Sequence, residues 1–200
     1  MFSQERLHYF FLYISCAAVL FLSGLIVCYL LPSGSYFFQT LENAVYNTTV
    51  SFCKINPSSL ITSYAQEFKF FLFISAATFC IHRHIIFYII TAYKSFTSGL
   101  CTACFLKAVK HNVIVLNFET LGCFTFTLLT VLSIVLLCLF CAHSMLYSKR
   151  IVYPVKISFL IKRKDISRYI IDFFAVCGIV LIILLLKQGN LYLTVSTKGL

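Results

Sequence analysis

The sequence predicts an all-α fold: a polytopic transmembrane helical bundle of about five spans, N-terminus in and C-terminus out. Three observations carry that prediction. Hydrophobic residues make up 60% of the 200-residue chain and charged residues only 11%, with a mean hydropathy of +0.94. A soluble globule of this size cannot cover so much apolar surface, so the solvent for most of the chain must be lipid. The apolar residues are also gathered into runs of about 20, the length a helix needs to cross a hydrocarbon core about 30 Å thick. Finally, seven of the sixteen Lys and Arg (Lys149, Arg150, Lys156, Lys162, Arg163, Lys164 and Arg168) fall in one connector between apolar runs. That clustering marks a cytoplasmic loop beside anionic lipid, so the net charge of +10 reads as membrane orientation and not as a nucleic-acid partner.

The whole chain, 1–200, is read as a single integral membrane domain. Span 9–31 is an uncharged run, and the bulky Cys28-Tyr29-Leu30-Leu31-Pro32 at its end offers no small-x-small cleavage site, so it reads as a retained anchor. An outer loop over 32–66 follows, rich in Ser, Gly, Asn and Thr, with a short amphipathic surface helix expected over 36–47. Spans two and three, 67–82 and 85–106, are separated by a turn at His82-Arg83-His84. One continuous helix there would set Arg83 near the bilayer centre, at about 2.5–3.5 kcal/mol on insertion scales. Span four is placed at 121–146, the basic cytoplasmic loop at 147–168, and span five at 169–187, closed by Lys187-Gln188-Gly189-Asn190. A four-span arrangement with both termini outside also keeps the basic loop inside. Lys107 and Lys110 then weigh against five spans, which put them outside.

Enzyme chemistry finds little to work with. No Gly-x-Ser-x-Gly, His-Glu-x-x-His or phosphate-binding Gly-rich loop is present, and the six acids are scattered singly. No catalytic residue, cofactor or metal is therefore assigned. Nine of the ten Cys lie within or beside apolar spans, where Cys serves as a small hydrophobe. The pairs Cys101/Cys104 and Cys138/Cys141, together with nearby His143, match a zinc or copper(I) ligand set in spacing, but the pairs would have to meet between two helices within lipid. Asn47-Thr48-Thr49 matches a glycosylation acceptor, a pattern common by chance.

The intramembrane ionisable candidates are Lys94, Glu119 and Asp172, any of which is able to mark an ion or substrate path. Each also has a structural reading. Asp172 pairs with Arg168 at i and i+4, Glu119 sits at the outer interface near Lys110 or His111, and Lys94 snorkels or pairs with Asp172. Ser95, Gly99 and Ala103 form a small-residue stripe at four-residue spacing that lets another helix approach closely. Gly24 and Cys28 give the first span a weaker version.

Two stretches carry a family likeness: Ser63 to Ile74, SYAQEFKFFLFI, and Tyr93 to Leu106, YKSFTSGLCTACFL. The second resembles the Lys-Gly-Phe-x-x-Gly-Phe signature of the stage II sporulation protein M family of bacterial integral membrane proteins. The order of features resembles that family over nearly the whole chain. Lys94, Phe96 and Gly99 match the motif, whereas Ser95 stands where the family usually has Gly. The resemblance implies a multi-pass protein of the bacterial cytoplasmic membrane with no enzymatic activity. It implies a scaffold of the sporulation engulfment machinery that positions membrane-anchored cell-wall hydrolases on the outer face, with Lys94, Ser95, Phe96, Gly99 and Ala103 as helix-packing residues. A different class, a small transporter or the membrane subunit of an ABC-type permease, is the competing reading.

Overall fold

Five helices account for nearly all the residues that the computed structural model describes, which are 4–30, 36, 39–40, 43–44, 57–80, 82–110, 119–152 and 159–194. In chain order they are α1 (Gln4–Leu30), α2 (Pro57–Ala77), α3 (Arg83–Lys110), α4 (Glu119–Val152) and α5 (Phe159–Thr194). No strand occurs among the described residues. The surface helix expected over 36–47 lies largely outside them.

Glu5 in the first turn of α1 complements the positive end of the helix dipole. Beyond it α1 buries the stripe Tyr13, Ala17, Gly24 and Cys28, positions that return to one face of a 3.6-residue helix. Its other face exposes Phe11, Val19, Leu22 and Ile26. Such a face is a liability in water and is solvated in lipid. α1, Leu121–Lys149 within α4, and Asp165–Asn190 within α5 are each long and apolar enough to cross a membrane. Among the described residues α2 and α3 do not reach that measure; α2 carries Glu67 and Lys69, and α3 carries Lys94 between Arg83 at its start and Lys107 and Lys110 in its last turn.

Helix boundaries differ from the sequence reading in three places. α2 begins at Pro57 and not at residue 67, so 57–66 is its first part and not loop. Proline fits there because the first-turn amides have no intrahelical partner to lose and its fixed φ is already helical. The turn after α2 falls at 78–80, ahead of His82-Arg83-His84, with Thr78 N donating to Ile74 O at 2.9 Å and Cys80 N to Ala77 O at 2.9 Å. Arg83 then opens α3, its side chain buried at 5% exposure and not spread on the interface. The basic connector also contracts, since α4 runs to Val152 and α5 starts at Phe159, continuing past Lys187 to Thr194.

α4 packs against all four other helices, and α1 packs most extensively on α3. The core lies around the second half of α4, where Leu137, Phe140, Cys141 and Met145 meet Tyr13 of α1, Phe71 and Ile74 of α2, Phe87 of α3 and Tyr169 of α5. Phe140 is the hub, with ring centroids 5.7 Å from Phe71 and 6.0 Å from Tyr169.

The helices alternate in direction. At one end Lys149 Nζ lies 3.8 Å from Glu5 and 5.0 Å from the Tyr9 ring, which is 5.9 Å from His84. At the other, Lys107 Nζ donates to Cys28 O at 2.7 Å, Asn190 Nδ2 to Gly122 O at 3.4 Å, and Phe105 stacks on Phe126 at 4.2 Å. The carbonyls of the last turn of α1 have no helical partner, so the Lys107 ammonium caps an orphan acceptor while reaching across from α3.

Candidate functional site

The side chains with the most chemistry are drawn to the bundle interior from four helices. Lys94 of α3 forms an ion pair with Glu67 of α2, their side chains 13% and 19% exposed. Ser133 Oγ of α4 donates to the second Glu67 oxygen at 3.3 Å, and the Lys94 ammonium lies 5.3 Å from the Phe70 ring. Here α2 supplies the acid, α3 the base and α4 the hydroxyl. A pair of this kind is neutral as a unit, which is how a bundle in lipid tolerates charges at this depth. Removing one partner leaves the other uncompensated, at about 3–5 kcal/mol in buried pairs.

A second ammonium lies in the same layer. Lys187 Nζ of α5 donates to Thr130 Oγ1 at 3.2 Å and sits 4.1 Å from the Phe126 ring, and Thr130 in turn donates to Phe126 O at 2.9 Å. Thr130 and Ser133 are three residues apart on α4, so the Lys187 and Glu67 contacts fall within about one turn of that helix.

Toward the end that holds Lys149, a hydroxyl network ties α2, α4 and α5. The Tyr169 hydroxyl bonds Ser144 Oγ at 2.9 Å and Thr78 Oγ1 at 3.1 Å, and donates to Ser75 Oγ at 3.4 Å. Beside it, His143 Nε2 and Asp172 Oδ2 are 3.0 Å apart, and the His143 ring lies parallel to Tyr169 with centroids 6.2 Å apart. Ser144, His143 and Asp172 do not form a nucleophile relay, because the serine hydroxyl faces Tyr169.

At the crossing of α1 and α3 the backbones touch. A Cβ added to Gly24 would lie 2.4 Å from Phe96 O, and one added to Gly99 would lie 2.2 Å from Phe21 O. Ser95 and Ala103 are fully buried along the same α3 face, and Cys28, Leu100, Ala103 and Cys104 close the contact. Phe96 takes part through its carbonyl and as a partly buried ring.

Several pairings differ from those expected of the sequence. Lys94 is joined to Glu67 and not to Asp172, because α2 and not α5 lies beside it. Asp172 faces His143 across the α4–α5 contact, while Arg168 is exposed. The Glu119 side chain lies outside the described residues. Cys104, Cys138 and Cys141 are buried and Cys101 exposed, and among the described residues no three His, Cys, Asp or Glu side chains gather into a metal-binding group. Glu67, Thr130, Ser133 and Lys187 were not legible as site residues, and His143, read beside the Cys pairs, faces Asp172 instead. Glu67 reads as the edge of a span until α2 is known to start ten residues earlier, and Lys187 reads as a helix stop.

The comparisons with known proteins add no relative: no protein-family model matches the chain, and no curated protein and no solved structure is similar to it.

Proposed function

We propose that this chain is a five-span protein of the bacterial cytoplasmic membrane, N-terminus inside, that acts as a non-enzymatic scaffold. Following the resemblance of Tyr93 to Leu106 to the stage II sporulation protein M signature, its place is the engulfment machinery. There it positions membrane-anchored peptidoglycan-degrading partners at the septal membrane. The observation that supports a scaffold over a carrier is the Lys94–Glu67 pair. The motif lysine is engaged as a brace between α2 and α3, next to the Gly24–Gly99 crossing that locks α3 to α1. Both features favour a rigid body that presents its outer segments to other proteins.

The test is deletion of the gene in its native host, followed through spore formation by microscopy with a membrane dye. Arrest with a flat or bulged septum supports the reading. Normal engulfment, or a host that forms no spores, overturns it.

A second reading, a small transporter or ABC-type permease subunit, is favoured by one observation: the Lys187 ammonium is turned into the bundle onto Thr130, with no carboxylate bonded to it among the described residues. Lys94→Met alone does not separate the two, since it also strands Glu67. Lys94→Met combined with Glu67→Gln does. A scaffold keeps its function when the pair is replaced by neutral side chains, whereas a carrier that moves ions through the pair loses it.

A further inference from the structure

Where α1 begins and the apolar stretch of α4 stops, a cleft of about 320 Å³ is lined by Gln4, Glu5, His8 and Tyr9 of α1 and by Lys149 of α4. Its walls carry both signs of charge. Lys149 Nζ and Glu5 Oε2 are 3.8 Å apart, a loose ion pair, and the two side chains are 44% and 66% exposed. An ammonium has three N–H donors and a carboxylate two acceptor oxygens, so a contact this long leaves both groups open to a further partner. Gln4 and His8, exposed one turn apart on α1, add an amide and an imidazole.

A net anion meets Glu5 in this cleft and a net cation meets Lys149, so the ligand that matches it carries an anionic and a cationic group side by side. The Tyr9 ring is not free to cage a methylated amine. Its centroid lies 5.0 Å from the Lys149 ammonium and 5.9 Å from the rings of both His8 and His84. The cation is therefore one that Glu5 takes by hydrogen bonding, a primary ammonium. Beyond the cleft the surface of α1 turns apolar. Gln4 and His8 are followed at helical spacing by Phe11, Ser15, Val19 and Leu22, all exposed, and Ser15 returns its hydroxyl to Phe11 O at 2.7 Å. From His8 to Leu22 this stripe runs about 21 Å, past the midplane of a hydrocarbon core about 30 Å thick.

We infer that the cleft seats the head group of an aminophospholipid of the phosphoethanolamine type, its phosphate on Lys149 with Gln4 and His8, its primary ammonium on Glu5 and an acyl chain along the Phe11 to Leu22 stripe of α1. Such a site is independent of the scaffold reading, since lipid binding is measured on the purified protein and engulfment in the cell.

The experiment uses the full chain, stripped of lipid in detergent and titrated with phosphatidylethanolamine, phosphatidylcholine or phosphatidylglycerol of identical chains, with bound lipid counted by native mass spectrometry. The first phosphatidylethanolamine is expected to bind about fivefold more tightly than either of the others, the upper range for one exposed ion pair. Phosphatidylcholine has no N–H for Glu5, and phosphatidylglycerol has no cation. Glu5→Ala is expected to abolish the preference and to favour phosphatidylglycerol, because Lys149 is then unopposed. Lys149→Met is expected to weaken all three by about fivefold, whereas Lys110→Met, an exposed lysine in the last turn of α3 at the other end of the bundle, changes nothing. Glu5 and Lys149 are both exposed, so these variants keep the fold, and circular dichroism checks that they do. Glycerophosphoethanolamine, the same head without chains, is expected to bind about tenfold more weakly or less, having lost the apolar stripe. Equal binding of the chainless head would assign the cleft to a soluble ligand and overturn the lipid. Equal affinity for the three lipids, a wild type that prefers phosphatidylglycerol, or a Glu5→Ala variant that keeps the preference overturns the assignment as well.

Discussion

Gly24 of α1 and Gly99 of α3 meet so closely that a Cβ on either would lie 3.3 Å from the Cα of the other. No side chain separates the helices there, and the carbonyls of Phe21 and Phe96 occupy the space a methyl group would take. Contact of this kind replaces the hydrophobic driving force that helices lack in lipid, because close backbones gain dispersion and electrostatic attraction that larger residues prevent.

Gly99→Ala therefore forces its methyl group against backbone that cannot rotate away. A loss of about 2–3 kcal/mol is expected, at the upper range for overpacking. Gly178 is the internal control, with nothing within 4 Å of an added Cβ. Gly178→Ala is expected to be neutral or to gain up to about 1 kcal/mol of helix propensity. Thermal unfolding in detergent checks both, and equal effects at the two sites would contradict the crossing.

Breaking the Lys94–Glu67 pair from one side is expected to cost about 3–5 kcal/mol, since the remaining charge is left buried. Lys94→Met with Glu67→Gln is expected to recover most of that loss. A double-mutant cycle on unfolding free energies reads the coupling directly. Additive single effects would mean that the two side chains do not interact.

Two buried tyrosines make opposite predictions. Tyr169→Phe takes a hydroxyl from Ser144 and Thr78 and is expected to lose about 1–3 kcal/mol. The Tyr13 hydroxyl is buried with no hydrogen-bond partner among the described residues, so Tyr13→Phe is expected to be neutral or stabilising by about 1 kcal/mol. Unfolding midpoints of the two variants, measured side by side, give the sign of each.

His84 stands exposed at the end of the bundle, where partial desolvation, and then the charges of Arg83 and Lys149, hold its pKa below the ordinary histidine value of 6.5. The unfolded chain then takes up the proton more readily than the folded one. The contribution of His84 is present above the unfolded pKa and is lost as pH falls through the lower, folded one. From about pH 8 to about pH 5, His84→Gln is expected to lose less stability than the wild type. An unchanged difference between the two across that range would rule out a depressed pKa.

Reporter fusions decide how many helices cross. With five spans, a fluorescent protein fused after Cys80 or Lys149 is bright inside, and alkaline phosphatase fused after Lys110 or Asn190 is active outside. If only α1, α4 and α5 cross, Cys80 lies outside, and the reporters there exchange their behaviour.

Helix type and lipid as solvent were legible before any coordinates, because both depend on averages over many residues. Sixty per cent hydrophobic residues in runs of about 20 leave no other way to satisfy the backbone. The small-residue stripe of α3 was legible too, since spacing along one helix is a local property. Its partner was not: Gly24 is 75 residues away, and only the folded chain sets the two together.

Boundaries and pairings depend on tertiary structure for the same reason. Pro57 reads as a breaker in isolation and serves as a first-turn residue once α2 packs on α5. Lys94 was expected to snorkel or to pair with Asp172, and the choice of Glu67 follows from which helix lies beside α3. Lys187 is the clearest case. By position it marks a helix end, and only the arrangement of α4 and α5 turns its ammonium inward onto Thr130. Composition determines the solvent and the helices. The direction and partner of each charge are decided by packing, because an ionisable group in an apolar bundle goes to whichever partner the neighbouring helices bring within a hydrogen bond.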